Sequence, residues 1–489
     1  MTATDAAPTT VPTEDERIRW DVIVLLLGAA FVVILNETTM TVALPALMAD
    51  LNVGPTMIQW LTTGFMLTMA VVIPVTGFLM DRLTTRQLFM TAMTLFSLGT
   101  LLAIIAPGFW PLLVARVVQA SGTAMMMPLL MTTILVLVPQ HRRGQVMGLV
   151  SVAMSMAPAM GPTISGAILQ VGSWRMIFGV MLPIALGMLF LGWRRMTNVG
   201  HTSATPIDVA SIILSAVGFG GLVYALSTVG QGAAVNPVTL ALAFTVAIVA
   251  LVAFVWRQIV LQRDDRPLLD LRTLKHRSFT IGLAVMMIAF MSLMGVVLLW
   301  PIYLQQVRGL DTLASGLLLL PGGLMMGLLG PVIGRLFDRF GARPLVVPAA
   351  IAMTAIVASM TQFNQTTPVW LLLATHVGLS VSLAFIFTPV FTASLNDLPP
   401  QLYGHGSALL GTLQQVAGAA GASLLVTVMA ARTTSAAAAG KAPIPAELEG
   451  LHAAFLLGAI MASTAIVLAL FLRTPQAEAA PAEQPATVH

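Results

Sequence analysis

The chain has 489 residues, 57% of them hydrophobic and 9% charged, with a mean hydropathy of +0.93, whereas soluble domains carry roughly 25% charged residues. That composition excludes a soluble fold. It also turns the net charge of +4 from a hint of nucleic-acid binding into a report of sidedness in a membrane, so no nucleic-acid partner is expected. With 0 Cys, disulfide and thiol chemistry are excluded.

Residues 1–20 form a polar tail with both signs of charge, and no small-residue cleavage site follows the first apolar stretch, so no removable signal is expected. Apolar segments then recur at 21–47, 55–79, 87–106, 109–138, 144–170, 175–193, 207–228, 238–261, 279–304, 313–336, 344–362, 368–395, 404–430 and 451–472. Each is close to the roughly 20 residues that a bilayer core about 30 Å thick requires. Long unalternating runs are helices, not barrel strands. Two connections stand out, a basic one at 257–277 and an Ala-rich one at 431–450.

Fourteen spans put both termini on one side. If that side is cytoplasmic, inner loops and tails hold 18 of the 23 Lys plus Arg, against Arg175, Arg308, Arg432 and Lys441 outside. One helix more or fewer would scramble this asymmetry, so it supports both the count and the orientation. The remaining basic residue, Arg116, falls inside a span.

Gly77, Asp81, Arg82 and Arg86 after the second segment return as Gly334, Asp338, Arg339 and Arg343 after the tenth, in the shared frame G-x-x-x-D-R-x-x-x-R. Such a parallel duplication places a substrate site between two halves near mid-membrane. The expected organisation is an N-terminal six-helix half (21–200), two additional helices (201–265), a C-terminal six-helix half (266–473) and a tail (474–489). Within the motif, Gly lets helices approach, Asp suits the positive end of a helix dipole, and Arg can pair across the inner face. A reversible gate is the expected use.

Charges in a bilayer cost roughly 2.5–3.5 kcal/mol on insertion scales, so they are functional candidates. Glu37 is the one acidic residue well inside a span. It stands about 16 residues from the inner end of its helix, roughly 24 Å at 1.5 Å per residue. Arg116 falls at similar depth, where the two can pair and a proton or a substrate cation can compete for the carboxylate. His376 is a second, lone titratable group in a span, and packing is the plainer reading of it.

Ala157, Gly161 and Ser165 recur every four residues and strip one helix face of bulk, with Pro162 between them; Gly148 and Gly166 extend the small-residue set. The 31 Met against 3 Tyr suit a cavity that repacks around unlike compounds. Met40, Met125 and Met126 adjoin the buried charges in sequence, and Asn36, Gln119, Gln414 and Gln415, with His376, are polar groups able to orient a ligand.

The doubled motif resembles that of the major facilitator superfamily, and the chain from about residue 20 to 472 resembles its fourteen-span drug:proton antiporter family. That family includes multidrug, quaternary-ammonium and lincomycin-type efflux pumps. Asn36-Glu37-Thr38-Thr39 through Pro45 is similar to its helix 1 signature, with Glu37 where Asp is usual. Arg116 with Gln119 and Gly122 is similar to its helix 4 motif, and Gly148, Gly161-Pro162 and Gly166 to its helix 5 antiporter motif, with Ala157 and Ser165 where Gly is common. Trp174-Arg175, Asp208, Pro267 to Asp270 and Tyr303 are further landmarks, while Thr84 and Thr85 replace the usual Gly and Arg of the first inner loop.

The resemblance implies proton coupling at Glu37 and Arg116, export rather than import, and a place in a bacterial inner membrane as a multi-pass protein. The expected function is proton-driven efflux of lipophilic neutral or monocationic compounds, since helices 9 to 13 add no second mid-membrane carboxylate to anchor a dication. No cofactor beyond the proton gradient and no metal is expected, and the partners are the bilayer, the proton and a small lipophilic substrate, with the protein a monomer. Export of envelope lipids is the alternative reading, and a non-transporting sensor a weaker one. No nucleophile-base pair or nucleotide loop points to an enzyme.

Overall fold

The computed structural model describes residues 19–199, 208–230, 236–264, 266–310 and 312–472. It is built from helices, with no strand among the described residues, as a chain whose backbone must satisfy itself in lipid requires. Fourteen helices are long and apolar enough to cross a membrane. The first seven are α1 (Trp20–Leu51), α2 (Trp60–Arg82), α3 (Thr85–Ile105), α4 (Phe109–Leu137), α5 (Arg143–Val171), α6 (Arg175–Arg195) and α7 (Val209–Val229). The others are α8 (Pro237–Leu261), α9 (Arg277–Ile302), α10 (Thr312–Phe340), α11 (Arg343–Ser359), α12 (Val369–Asn396), α13 (Tyr403–Ala438) and α14 (Pro443–Ala469). The expected boundaries at 200/201 and 473/474 lie outside the described residues, as do Arg17 and Arg473.

One expectation fails. The Ala-rich connection at 431–450 is mostly helix: α13 runs on to Ala438 and α14 starts at Pro443. Alanine is the strongest helix former, so the helix continues until Gly440, which adopts the left-handed conformation (φ 84°) that ends helices. Pro443 then opens the next.

Helices α1–α6 pack on one another, as do α9–α14. The ends carrying Asp81 to Arg86 and Asp338 to Arg343 lie together and define a motif face. From that face upward, antiparallel α5 and α10 touch backbone to backbone. A Cβ on Gly148 would collide with the Gly330 carbonyl, and one on Gly334 with the Gly144 carbonyl. Higher up, Gly327 rests on Met156 and Gly323 on Ala159. The second seam joins α2 to α13, where Gly77 faces Ala408 and Gly404, and Gly411 faces Ile73. Hydrogen bonds of Thr132 with Ser407 (3.0 Å) and of Ser151 with Thr388 add to the closure.

The apolar cluster at the motif face draws on both halves, with Phe78, Leu130 and Leu135 beside Phe279, Leu395 and Leu409. Toward the far face the clusters belong to single halves, one around Leu47, Ile58 and Trp174 and another around Trp300, Phe363 and Phe455. The halves therefore meet at the motif face and part beyond mid-depth, leaving a cleft toward the far face.

The additional helices α7 and α8 form a hairpin held by a polar clamp. Asp208 caps α7 and accepts two hydrogen bonds from Arg257, Nε and NH2 both at 2.7 Å. Gln258 donates to Ser211 (2.8 Å) and accepts from the backbone N–H groups of Leu268 (2.8 Å) and Leu269 (3.2 Å). The Arg257 guanidinium beside Asp208 holds its carboxyl down at about 2. A carboxylate with a depressed folded pKa contributes stability above its unfolded value near 3.9, and that contribution is lost only as the pH falls through about 2. We expect Asp208→Asn to cost about 1–2 kcal/mol, low in the range for charge-assisted bonds because Arg257 is 36% exposed. The loss should be the same at every pH from about 5 to 9, read as a constant drop in the thermal unfolding midpoint in detergent.

Candidate functional site

Glu37 lies on α1 at the level where the α5–α10 seam ends. The depth is fixed by its neighbour Thr38, whose side chain sits against Gly161 on α5 with no room for a Cβ, and whose hydroxyl donates to the Ala157 carbonyl at 3.4 Å. The small residues of α5 thus have two uses. Gly148 meets the opposite half, while Ala157 and Gly161 seat helix 1 of the same half. Pro162 belongs to the same continuous helix, and Gly166 faces open space.

Arg116 is buried (1% exposed) on α4. Its NH1 donates to Gln119 Oε1 at 2.6 Å and its guanidinium lies over the Phe65 ring at 4.1 Å, a cation–π contact. Gln119 in turn donates to the Thr100 hydroxyl at 2.8 Å. Close approach of α3 and α4 at Gly99 and Gly122 makes this possible. Glu37 and Arg116, which the sequence allows to pair, form no direct ion pair in this state. The two act on one another through space, and Gln119, one turn along the same helix face, takes the guanidinium edge. Glu37 remains half-buried with no hydrogen bond or ion pair among the described residues. Asn36 beside it is fully buried, and both its side-chain polar atoms are unpartnered.

The other sequence candidates separate. Met40 (1% exposed) packs in the far-face cluster of the N-terminal half, and Met125 and Met126 pack in the cluster shared at the motif face. Gln119 is committed to Arg116 and Thr100. Gln414 and Gln415 are half-buried on α13, where Gln415 reaches the Met69 sulfur at 3.9 Å. His376 accepts the Trp300 indole N–H at Nδ1 (2.7 Å), which leaves Nε2 to donate to the Leu319 carbonyl at 3.1 Å. Its tautomer is fixed by packing within the C-terminal half.

At the motif face the two Asp residues cross between halves. Asp338 accepts the backbone N–H groups of Gly144 and Gln145, both at 2.9 Å, at the start of α5, where the helix dipole favours an anion. Asp81 pairs with His405 near the start of α13 at 3.1 Å. Arg86 stays within its own half, donating to the Trp193 carbonyl at 2.7 Å, and Arg339 lies over the neighbouring Phe340 ring. Thr84, in place of the usual Gly, builds a capping box with Gln87 that starts α3, and Thr85 bonds the Val199 carbonyl at 2.9 Å.

Sequence reasoning missed Arg143, a buried latch from α5. It donates to Asn396 (2.9 Å) and Tyr403 (3.3 Å) of the opposite half and to the Leu135 carbonyl (2.6 Å). Only its place beside Gly144 at the start of a span hinted at this.

Glu37, with no hydrogen bond or ion pair among the described residues, thus stands at the level where the halves part, above the bonds that join them at the motif face. The chain matches the family model of the Major Facilitator Superfamily over residues 26–422. It is 40% identical over 462 residues to an uncharacterised MFS-type transporter, YcnB, of Bacillus subtilis, spanning 94% of this chain and 96% of that one. It is 38% identical to the lincomycin resistance protein LmrB of Listeria monocytogenes, spanning 92% and 96%. Among solved structures it resembles the human organic anion transporter MFSD10 in fold, with a TM-score of 0.66 at 14% identity, covering 92% of this chain and 99% of that one.

The α1–α5 contact gives a direct test. Gly161→Ala drives a methyl group into Thr38, and overpacking of this kind costs about 1–3 kcal/mol. Gly166→Ala meets nothing within 4 Å. The thermal unfolding midpoint should fall in the first variant and hold or rise in the second.

Proposed function

The chain belongs to the major facilitator superfamily, as a multi-pass transporter of a bacterial cell membrane and not an enzyme, and on that premise we propose that it exports drugs in exchange for protons. The substrates are lipophilic neutral or monocationic compounds. Relatives bearing the names lincomycin resistance protein and putative multidrug resistance protein support the substrate class. The observation that carries the coupling is Glu37, a carboxylate at the floor of the cleft with no ion pair or hydrogen bond among the described residues.

The uneven distribution of basic residues makes the motif face cytoplasmic, so the cleft described above faces outward. In that state a proton from outside reaches Glu37. Neutralising the carboxylate removes the anchor of a bound cation and one buried charge, which lets substrate leave and lets the far-face ends of the halves close. Closure there requires opening at the motif face, where Asp338 leaves Gly144 and Gln145, Asp81 leaves His405, and Arg143 leaves Asn396 and Tyr403. The proton then departs to the cytoplasm and substrate takes its place. Arg116, fixed by Gln119 and Phe65, stands near the vacated carboxylate as its counter-charge. Asn36, Gln414 and Gln415 orient the ligand.

The test is a pH-gradient assay in inside-out proteoliposomes with lincomycin as the first compound. Coupling free energies of about 1–3 kcal/mol correspond to roughly 5–150-fold. Glu37→Gln should therefore lose gradient-driven uptake by about that factor while substrate exchange without a gradient persists. Full gradient-driven uptake by Glu37→Gln overturns the coupling scheme. Transport of labelled lipid with no lincomycin movement overturns the drug assignment.

A further inference from the structure

The two seams between the halves part at mid-depth, yet their far-face sides are built differently. On the α5–α10 side the antiparallel register is set by Gly148 against Gly330 and continues to Ala159 against Gly323. Seven residues farther along each helix, two turns on the same face, stand Gly166 and Gly316. Neither has an atom within 4 Å of where a Cβ would lie. The helix that touches both α5 and α10, α12, reaches α5 through Ser151–Thr388, on the motif-face side of the level where the seam parts.

On the α2–α13 side a third helix is present. The π-helical turn Ala216–Gly220 of α7 rests on α2, with Gly220 placed so that a Cβ would touch Val71 at 3.0 Å. Beyond it, Gly221–Gly230 packs against both α2 and α13. Tyr224 stacks on Trp60 at the far-face start of α2, with ring centroids 5.7 Å apart. Val223 and Ala225 are buried (1% and 0% exposed). Outside α7 lies α8, joined to it through an edge-to-face contact of Phe219 with Phe254 and the Gly221–Ala247 contact. The outer surface of α8 carries exposed Val238, Leu242, Val249 and Val252, a face suited to acyl chains.

We infer that the α7–α8 hairpin is a side wall of the cleft, so that lipid acyl chains reach its interior between α5 and α10 and are kept out between α2 and α13. The partner of the open side is the hydrocarbon of the bilayer. A compound dissolved in the membrane then enters or leaves the cleft from one side. The wall is attached to both halves, so it persists as a barrier while the seam beneath it is parted.

The chain's lack of cysteine makes the test direct. Single Gly316→Cys and Leu67→Cys variants, the latter on α2 beneath Gly220 of the wall, are labelled with a bimane fluorophore and placed in nanodiscs of phosphatidylcholine, with and without nitroxide-bearing acyl chains. Quenching by the nitroxide lipid should be several-fold greater at position 316 than at 67. Adding Trp60→Ala and Tyr224→Ala to the Leu67→Cys variant loosens the wall and should raise quenching there toward the level at 316. Equal quenching at the two positions in the intact wall, or weak quenching at both, overturns the inference. So does a Leu67→Cys signal that the double alanine change leaves unmoved. The readout is lipid contact, independent of transport, so it stands or falls separately from the drug-export reading.

Discussion

Everything in this bundle depends on how closely α5 and α10 approach at the motif face. Two helices separated by ordinary side chains would stand farther apart, beyond the reach of backbone-to-backbone contact. Here Gly144, Gly148, Gly330 and Gly334 bring backbone against backbone, and without a hydrophobic drive between helices in lipid, such packing is the main attraction available. It also sets the reach of the polar latches. Asp338 meets the amides of Gly144 and Gln145 only because no Cβ intervenes, and Arg143 enters the opposite half from the same helix end.

The same helix carries the contact into the site. Above the inter-half glycines, α5 presents Ala157 and Gly161 to α1, and Thr38 docks there with Glu37 beside it. The α5 helix is thus in contact with the α1 backbone that carries the carboxylate. One helix touches both the opposite half and the residue next to Glu37.

Much of the fold was legible in the sequence for simple reasons. Span count follows from apolar length and is checked by the sidedness of Arg and Lys, and the doubled motif divides the chain. The Ala-rich connection departs from the sequence pattern because low hydropathy marks the end of a span and not the end of a helix; alanine's helix propensity carries the backbone on until Gly440. The site was half legible. The matched depth of Glu37 and Arg116 follows from counting residues, but the competition of Gln119 for the guanidinium depends on side-chain direction on α4. The latches were largely invisible: the partners of Asp338 are backbone N–H groups, which carry no sequence signal, and His405, Asn396 and Tyr403 matter only because their helix ends converge on α2 and α5. Asp208 and Pro267 to Asp270 were recognisable as landmarks, while their use as a clamp required seeing Gln258 bridge them.

The two Asp latches differ in a way that bears on how such a chain can diverge. Asp338 is held by main-chain amides, so its partners contribute no side chain, but one of them must stay glycine, because a Cβ on Gly144 would collide with the Asp338 carboxylate itself. Asp81 is held by the His405 imidazole, a single side chain at a buried helix start. Replacing His405 changes the strength of one seam and leaves the other as it was. The strength of the α2–α13 contact is therefore a quantity that descent can adjust at one codon, away from the glycine packing of α5 on α10.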